Sequence, residues 1–398
     1  MIQLTDEQTA AISQLINELT KPNARYVTLT GGSGVGKTTV IKEFINQWEL
    51  LKQLDPITFK ADNIHVTATT NKAADVLRKN LGRNVSTIHS LLTLTVQRGK
   101  AVQRGIPNVS ESDIIIVDEA SFIDDQLLQY IHKANVRVVF VGDECQLKPV
   151  NADIAQVFLP SFCVQVKLST VMRQAENSAI QRLSYAMREA VISGEYPEAD
   201  VNNREIFWLA PDEFLRAFTD DCMQYPTGHV RALAWTNNTA NNYNLNAMQA
   251  CTGRTEMQVG DLVTVNSMVQ TRQAKFATDS VVEITRLGQW ETDARGVISR
   301  NVQLDGYGWF RQAESLKELD ISLEALPDHE ATYHRLSTYV DLRYMYASTV
   351  NKAQGSTYEI VYVDLNDIAQ CRDKDQVIRM VYVAASRAKT KLVFTGDI

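Results

Sequence analysis

The chain has 398 residues and a formal charge of −7, which at roughly 100 to 200 residues per domain is two to four packing units. Apolar residues make up 44 % and charged residues 22 %, excluding disordered and collagen-like polymers. Five scattered cysteines, never in CxxC spacing, argue against a disulfide framework or zinc ribbon and suit a reducing, cytoplasmic setting. The apolar runs fall far below the roughly 20 residues of a membrane span, and the first seven residues lack signal-peptide character.

In chain order, residues 26–30 are a β-rich run ending in glycines, and Ile41, Phe44, Ile45, Trp48 and Leu51 follow at helical spacing. Asn71 as cap and Gly82 as stop bound a second helix. Residues 60–104 carry eight basic groups against Asp62 and Asp75, and residues 93–104 alternate apolar and polar around Arg98-Gly99-Lys100, the pattern of a small hairpin. Residues 114–117 and 136–141 read as buried strands ending at carboxylates, and Asp124 and Asp125 suit a helix start.

A second α/β region opens near residue 176 and resumes near 346, with a strand at 360–364 and a helix at 375–388. Between them, β-rich runs at 262–265, 281–287 and 297–304, punctuated by glycines, suit a small antiparallel barrel. The acidic run 311–330 is expected on a solvated surface. The fold class expected is therefore α/β, with two parallel-sheet lobes. Residues 1–86 and 113–175 form the first, with a hairpin insertion at 87–112; residues 176–259 and 346–398 form the second, with a β-rich insertion at 260–345.

Residues 31–38, Gly-Gly-Ser-Gly-Val-Gly-Lys-Thr, fit G-x4-G-K-[ST] between a strand and a helix. The backbone of Gly32, Ser33, Gly34, Val35 and Gly36, with the helix start through Thr39, can turn N–H groups toward a phosphate. Lys37 is expected on the β- and γ-phosphates of ATP and Thr38 on Mg²⁺. Asp118 and Glu119 follow four aliphatic residues, so they emerge at the C-terminal edge of a central strand. Asp118 is expected to bind the metal, and Glu119 to orient and deprotonate the attacking water.

Further segments stand in order along the chain. They are residues 4–8 (Leu-Thr-Asp-Glu-Gln), 69–74, 87–92 (Thr-Ile-His-Ser-Leu-Leu), Gly142-Asp143-Glu144-Cys145-Gln146-Leu147-Lys148-Pro149-Val150, 171–174 (Val-Met-Arg-Gln), 234–237, 351–356 and 382–389. From residue 4 to about 396 this ordered set resembles the superfamily 1 helicases. The segment 142–150 and the compact length are most similar to the 5′-to-3′ group, of RecD and Dda type. The resemblance implies two RecA-like lobes, a hairpin pin in the first and an SH3-like insertion in the second.

It also implies roles for further residues. Gln8 would read adenine, Gln146 would link the γ-phosphate to the DNA track, and Arg173 and Arg387 would be arginine fingers meeting charge on the phosphoryl oxygens. Gln354 and Gly355 would complete the nucleotide site from the second lobe. On the DNA side stand Thr70, Asn71, Lys72 and His89, then Arg98 and Lys100 on the pin, and Trp235, Asn237, Thr349 and Asn351 in the second lobe. Trp235 equally suits core packing, and a lone histidine is often structural. The chain departs from the family at Asn351, usually His, at Asn238, commonly Lys or Arg, and at Lys148, frequently Pro; the pin is short and without an aromatic tip.

The function expected is a single-stranded-DNA-stimulated, ATP- and Mg²⁺-dependent helicase that moves 5′ to 3′ and opens duplex. The alternative is a translocase on RNA, or one with little unwinding of its own. Expected partners are single-stranded, tailed or forked DNA and a single-strand-binding or replication protein, for a monomer in a bacterial cell or phage-infected host.

Overall fold

The computed structural model describes residues 4–22, 25–97, 100–149, 155–170, 178–198, 201–276 and 278–398. They divide into two compact units: 1–205 with 354–357 and 371–387, and 206–353 with 358–370 and 388–398.

The first unit opens with α1 (Asp6–Thr20), β1 (Tyr26–Gly31) and α2 (Lys37–Leu54), then β2 (Ile64–Ala68), α3 (Asn71–Leu81), β3 (Val85–Thr87) and α4 (Ile88–Leu91). It continues with β4 (Leu94–Gln97), β5 (Lys100–Gln103), β6 (Ile114–Asp118), α5 (Asp125–Lys133), β7 (Arg137–Gly142), β8 (Val164–Leu168) and α6 (Ala179–Ser193). The large sheet has the order β3-β2-β6-β7-β1-β8, and every pairing is parallel.

Both faces of that sheet are covered, which is why its central strands β6 and β7 read as unbroken apolar runs. Alternate side chains enter different cores. Ile114 and Ile116 pack with Phe44 and Trp48 of α2, whereas Ile115 and Val117 pack with Leu127 and Ile131 of α5. Trp48 meets Phe59 edge-on, with ring centroids 5.1 Å apart. The cap of α3 is Thr70, whose hydroxyl accepts from Ala73 N, so the helix starts one residue earlier in role than Asn71 suggested. Its stop is Gly82 in the left-handed region, as expected. Strands β4 and β5 pair antiparallel from Leu94↔Gln103 to Gln97↔Lys100; their turn, with Arg98, lies outside the described residues.

The second unit begins with β9 (Ile206–Trp208), α7 (Pro211–Gln224), β10 (Val230–Ala234) and α8 (Asn237–Thr252). An antiparallel region follows: β11 (Leu262–Val265), β12 (Val269–Gln270), β13 (Lys275–Phe276), β14 (Val281–Leu287), β15 (Glu291–Thr292), β16 (Ile298–Leu304), β17 (Tyr307–Ala313), α9 (Leu316–Glu324), α10 (Asp328–Ser337) and β18 (Leu342–Arg343). The chain returns through β19 (Ala347–Thr349), α11 (Val350–Ala353), β20 (Tyr358–Asp364), α12 (Leu365–Ile368) and α13 (Lys374–Ala385) to β21 (Ala388–Thr395).

Strands β19-β10-β20-β21-β9 form a second parallel sheet. Phe214 and Phe218 of α7 close edge-on against Tyr362 at its centre, at 5.1 and 5.3 Å. The region between has its own core, including Val263, Val282, Ile284, Val302 and Phe310. Its acidic stretch is solvated, with Glu314, Glu318, Asp320, Glu324 and Glu330 exposed, but it is carried on helices: Ser315 caps α9 by accepting from Glu318 N, and α9 buries Leu319 and Leu323. The parallel sheets match the α/β expectation. Helices α6 and α13, read along the sequence with the second lobe, belong by their contacts to the first unit, where they pack on each other.

Candidate nucleotide and nucleic-acid site

The phosphate loop leaves β1 and enters α2. Gly34 (φ 86°) and Gly36 (φ 88°) take the left-handed backbone that lets neighbouring N–H groups converge. Lys37 Nζ donates to the carbonyls of Gly31 at 2.6 Å and Gly32 at 2.9 Å, so the ammonium already lies along the loop. Ser33 is exposed, and Val35, Thr38 and Thr39 continue the turn into α2. Gln8 is buried; its amide accepts from Thr5 N, closing a capping box, and donates to Val35 O at 3.3 Å. Helix α1 is thereby hooked to the phosphate loop.

Asp118 ends β6, in register with Ala68 of β2. Glu119 follows at φ 54°, a left-handed conformation that is uncommon for a residue with a side chain and is found disproportionately at functional sites. Burial pushes the Asp118 carboxyl up. Burial, then the Asp118 charge, pushes Glu119 up to about 7 against the pull of Arg387 and Lys37.

Gln354 Nε2 donates to Gln146 Oε1 at 2.9 Å and to Ser121 Oγ at 3.3 Å. A Cβ on Gly355 would lie 3.4 Å from Glu119 Oε1, so the backbone passes close to that carboxylate. Arg387 is buried, with Nη1 on Ser356 O and Nε on Val383 O, both at 3.1 Å. Gln354 and Gly355, expected from the second lobe, belong by contacts to the first unit. Arg173 lies outside the described residues.

This constellation fits a nucleoside triphosphate. Gln354 Oε1 and Ser356 Oγ are buried without a hydrogen-bond partner among the described residues, so polar capacity remains next to Glu119. Among the described residues no group of three His, Cys, Asp or Glu is placed to hold a metal ion. A cation beside Thr38 and Asp118 would draw its other ligands from phosphate oxygens and water, the habit of Mg²⁺.

The expected nucleic-acid contacts fall on the C-terminal strand edges of the two sheets. In the first unit, Ala68 and Thr87 are register partners, so the segment Thr70-Asn71-Lys72 and half-buried His89 leave adjacent strand ends. Burial lowers the His89 pKa against the pull of Asp124, which favours the neutral imidazole. In the second unit, Ala234 and Thr349 are partners, so the segment with Trp235 and Asn237 and the segment with Asn351 leave adjacent strand ends. Trp235 is 36 % exposed, so it is a surface indole; Thr349 is buried at 7 %. Lys100 lies on β5, and its side chain is outside the described set.

Sequence reasoning missed the supports. Asp367 accepts from Trp235 N at 2.7 Å, Thr236 N at 2.8 Å and both Thr236 and Thr239 hydroxyls. Glu7 accepts from Ser169 N and Thr170 N. Neither has a sequence signal, because each acts on a backbone brought to it only by the fold.

A model of the AAA domain matches residues 3–201, and one of the UvrD-like helicase C-terminal domain matches residues 344–395. The ATP-dependent RecD2 DNA helicase of Deinococcus radiodurans is 30 % identical over 52 % of this chain and 27 % of its own length. The ATP-dependent DNA helicase dda of Enterobacteria phage T4 is 29 % identical over 43 % of this chain and 39 % of its own. The aligned regions thus span well under half of these relatives. In fold, the Pif1 helicase from Candida albicans superposes over 100 % of this chain and 95 % of that one, with a TM-score of 0.53 and 18 % identity. With its motifs in order along both matched regions, the chain belongs to the superfamily 1 helicases, of the RecD and Dda type.

Proposed function

We propose that the chain is an ATP-driven motor on single-stranded DNA that moves 5′ to 3′ and separates duplex. The observation that carries this reading is the convergence of Lys37, the recessed Asp118–Glu119 pair, Gln146, Gln354 and buried Arg387 in the first unit. An ammonium on a glycine loop and a guanidinium are the charges that phosphoryl transfer needs.

In this reading Lys37 leaves the Gly31 and Gly32 carbonyls for the phosphates, and Glu119 orients and deprotonates the attacking water. Thr38 and Asp118 would hold Mg²⁺, which when bound would neutralise charge on the phosphoryl oxygens. Gln146, bonded to Gln354, sits where a change at the terminal phosphate reaches both segments. Thr70, Asn71, Lys72 and His89 meet the strand through its phosphates, and Trp235, with Asn237 and Asn351, offers a stacking surface. The β4–β5 hairpin serves as the wedge. Support for DNA comes from relatives named ATP-dependent DNA helicases.

The test is unwinding of matched partial duplexes carrying a 5′ or a 3′ single-stranded tail, with ATP and Mg²⁺ and Lys37→Ala alongside. Opening of the 5′-tailed substrate alone, lost in Lys37→Ala, is expected. Opening of the 3′-tailed substrate alone overturns the polarity. DNA-stimulated hydrolysis without opening makes the protein a translocase, and stimulation by matched RNA but not DNA overturns the substrate.

A further inference from the structure

Asp143, in the segment that precedes Gln146, is fully buried. One of its carboxylate oxygens accepts from Arg188 Nε at 3.3 Å and from Cys145 N at 3.1 Å. The other accepts from the Tyr382 hydroxyl at 2.5 Å. Tyr382 is on α13, five residues before Arg387, and burial beside Asp143 raises its pKa well above 10, so the phenol stays a donor. Arg188 is on α6 and reaches the phosphate loop from outside: a Cβ on Gly32 would lie 3.1 Å from its Cδ and 3.3 Å from its Nε. The same Cβ would lie 3.8 Å from the Tyr382 hydroxyl.

Three parts of the nucleotide site are therefore linked through Asp143, the loop by way of Arg188 and Tyr382. They are the loop that carries Lys37, the turn that carries Gln146 and the helix that leads to Arg387. An unpaired buried carboxylate is costly, and Asp143 avoids that cost only while both neighbours are in place. Among the described residues the other ion-pair contacts of Arg188 are longer, 3.6 Å to Glu144 and 3.7 Å to Glu189, than its bond to Asp143.

We propose that Arg188 and Tyr382 are positioning residues which, acting through Asp143, hold the phosphate loop, the Gln146 turn and α13 in register for hydrolysis. Neither is assigned contact with nucleotide. Misalignment of groups around a reacting phosphoryl is felt in the transition state more than in ground-state binding, so turnover suffers before affinity does.

The proposal rests on the ATPase reading, and the test separates the two. The full chain, Tyr382→Phe, Arg188→Met, the double variant and Lys37→Ala are compared for DNA-stimulated ATP turnover, ATP affinity and thermal stability. Tyr382→Phe removes one oxygen, and Arg188→Met keeps apolar volume against Gly32. Each is expected to lower kcat about tenfold with affinity changed less than about threefold. The double variant should lose little more than either single one, because both act on Asp143. Parental kcat in Tyr382→Phe overturns the proposal while leaving the ATPase reading intact. Multiplicative losses in the double variant overturn the shared route through Asp143. Loss of folding in Arg188→Met leaves Tyr382→Phe to decide. No turnover by the parental chain overturns the ATPase reading, and the proposal with it.

Discussion

Lys148 Nζ stands 2.7 Å from Asp375 Oδ2, so the lysine that departs from the family's frequent proline ties the turn after Gln146 to the start of α13. Asp375 also accepts from Arg379 Nε at 2.8 Å, and Arg379 Nη1 donates to the carbonyls of Glu144 at 2.6 Å and Gln146 at 2.9 Å. The lysine is one arm of a clamp whose centre is Arg379. Lys148→Ala should cost only about 0.5 kcal/mol, as a partly exposed pair does. Arg379→Ala leaves two carbonyls without their donor and should cost about 2 kcal/mol. Urea unfolding of both variants checks the difference, and equal costs would remove Arg379 from the centre.

Glu7 provides a pH test. Burial raises its carboxyl pKa, but the bonds from Ser169 and Thr170 outweigh that and hold it at about 2. A folded value below the unfolded one, about 4.3, means stabilisation fully present above pH 4.3 and lost as pH falls through 2. Glu7→Gln should therefore be less stable by about 1 kcal/mol at neutral pH, allowing for solvent screening at this half-buried site. That gap should close as the medium is acidified from pH 4.5 to 2. A gap constant with pH would mean that the charge of Glu7 is not what the two backbone N–H groups require.

Much of this was legible in the sequence for a physical reason. Phosphate binding requires a glycine turn at fixed spacing, and a doubly covered strand requires an aliphatic run, so residues 31–38 and Ile114–Asp118 declare themselves locally. The acidic surface of α9 and α10 masked two helices because charge gives no period by itself; the buried Leu319 and Leu323 were the weaker signal. Asp143, Asp367 and Glu7 were silent as supports because their partners are backbone groups or residues distant in sequence. The left-handed backbone of Glu119 was silent too, since glutamate does not advertise positive φ.

That backbone makes Glu119 a demanding position. Glu119→Gln keeps size and hydrogen-bonding capacity but removes the base, so ATP should still bind while kcat falls about 10² to 10⁴-fold. Because burial and Asp118 already oppose a charge there, the variant should be no less stable than the parent. Single-turnover hydrolysis alongside nucleotide binding checks both halves. A variant that hydrolyses at the parental rate would assign the water-activating role elsewhere.

The last prediction concerns how Trp235 is held. Asp367 is 3 % exposed and accepts from two backbone N–H groups and two hydroxyls, fixing the first turn of α8 and the indole just before it. Asp367→Asn replaces one acceptor oxygen with an NH₂ facing donors, a mismatch worth about 2 kcal/mol of stability. If Trp235 stacks on a base, its removal should weaken single-stranded DNA binding by about 1 to 3 kcal/mol. Asp367→Asn should weaken binding by less, because the indole is still present but less well fixed. In a Trp235→Ala background Asp367→Asn should then cost no further affinity, since the contact it supports is already gone. Fluorescence anisotropy with a labelled single strand measures all four proteins. Additive losses would show that Asp367 supports the strand through Asn237 or Thr239 and not through the indole, whereas unchanged affinity in Trp235→Ala would leave Trp235 as surface without a stacking role.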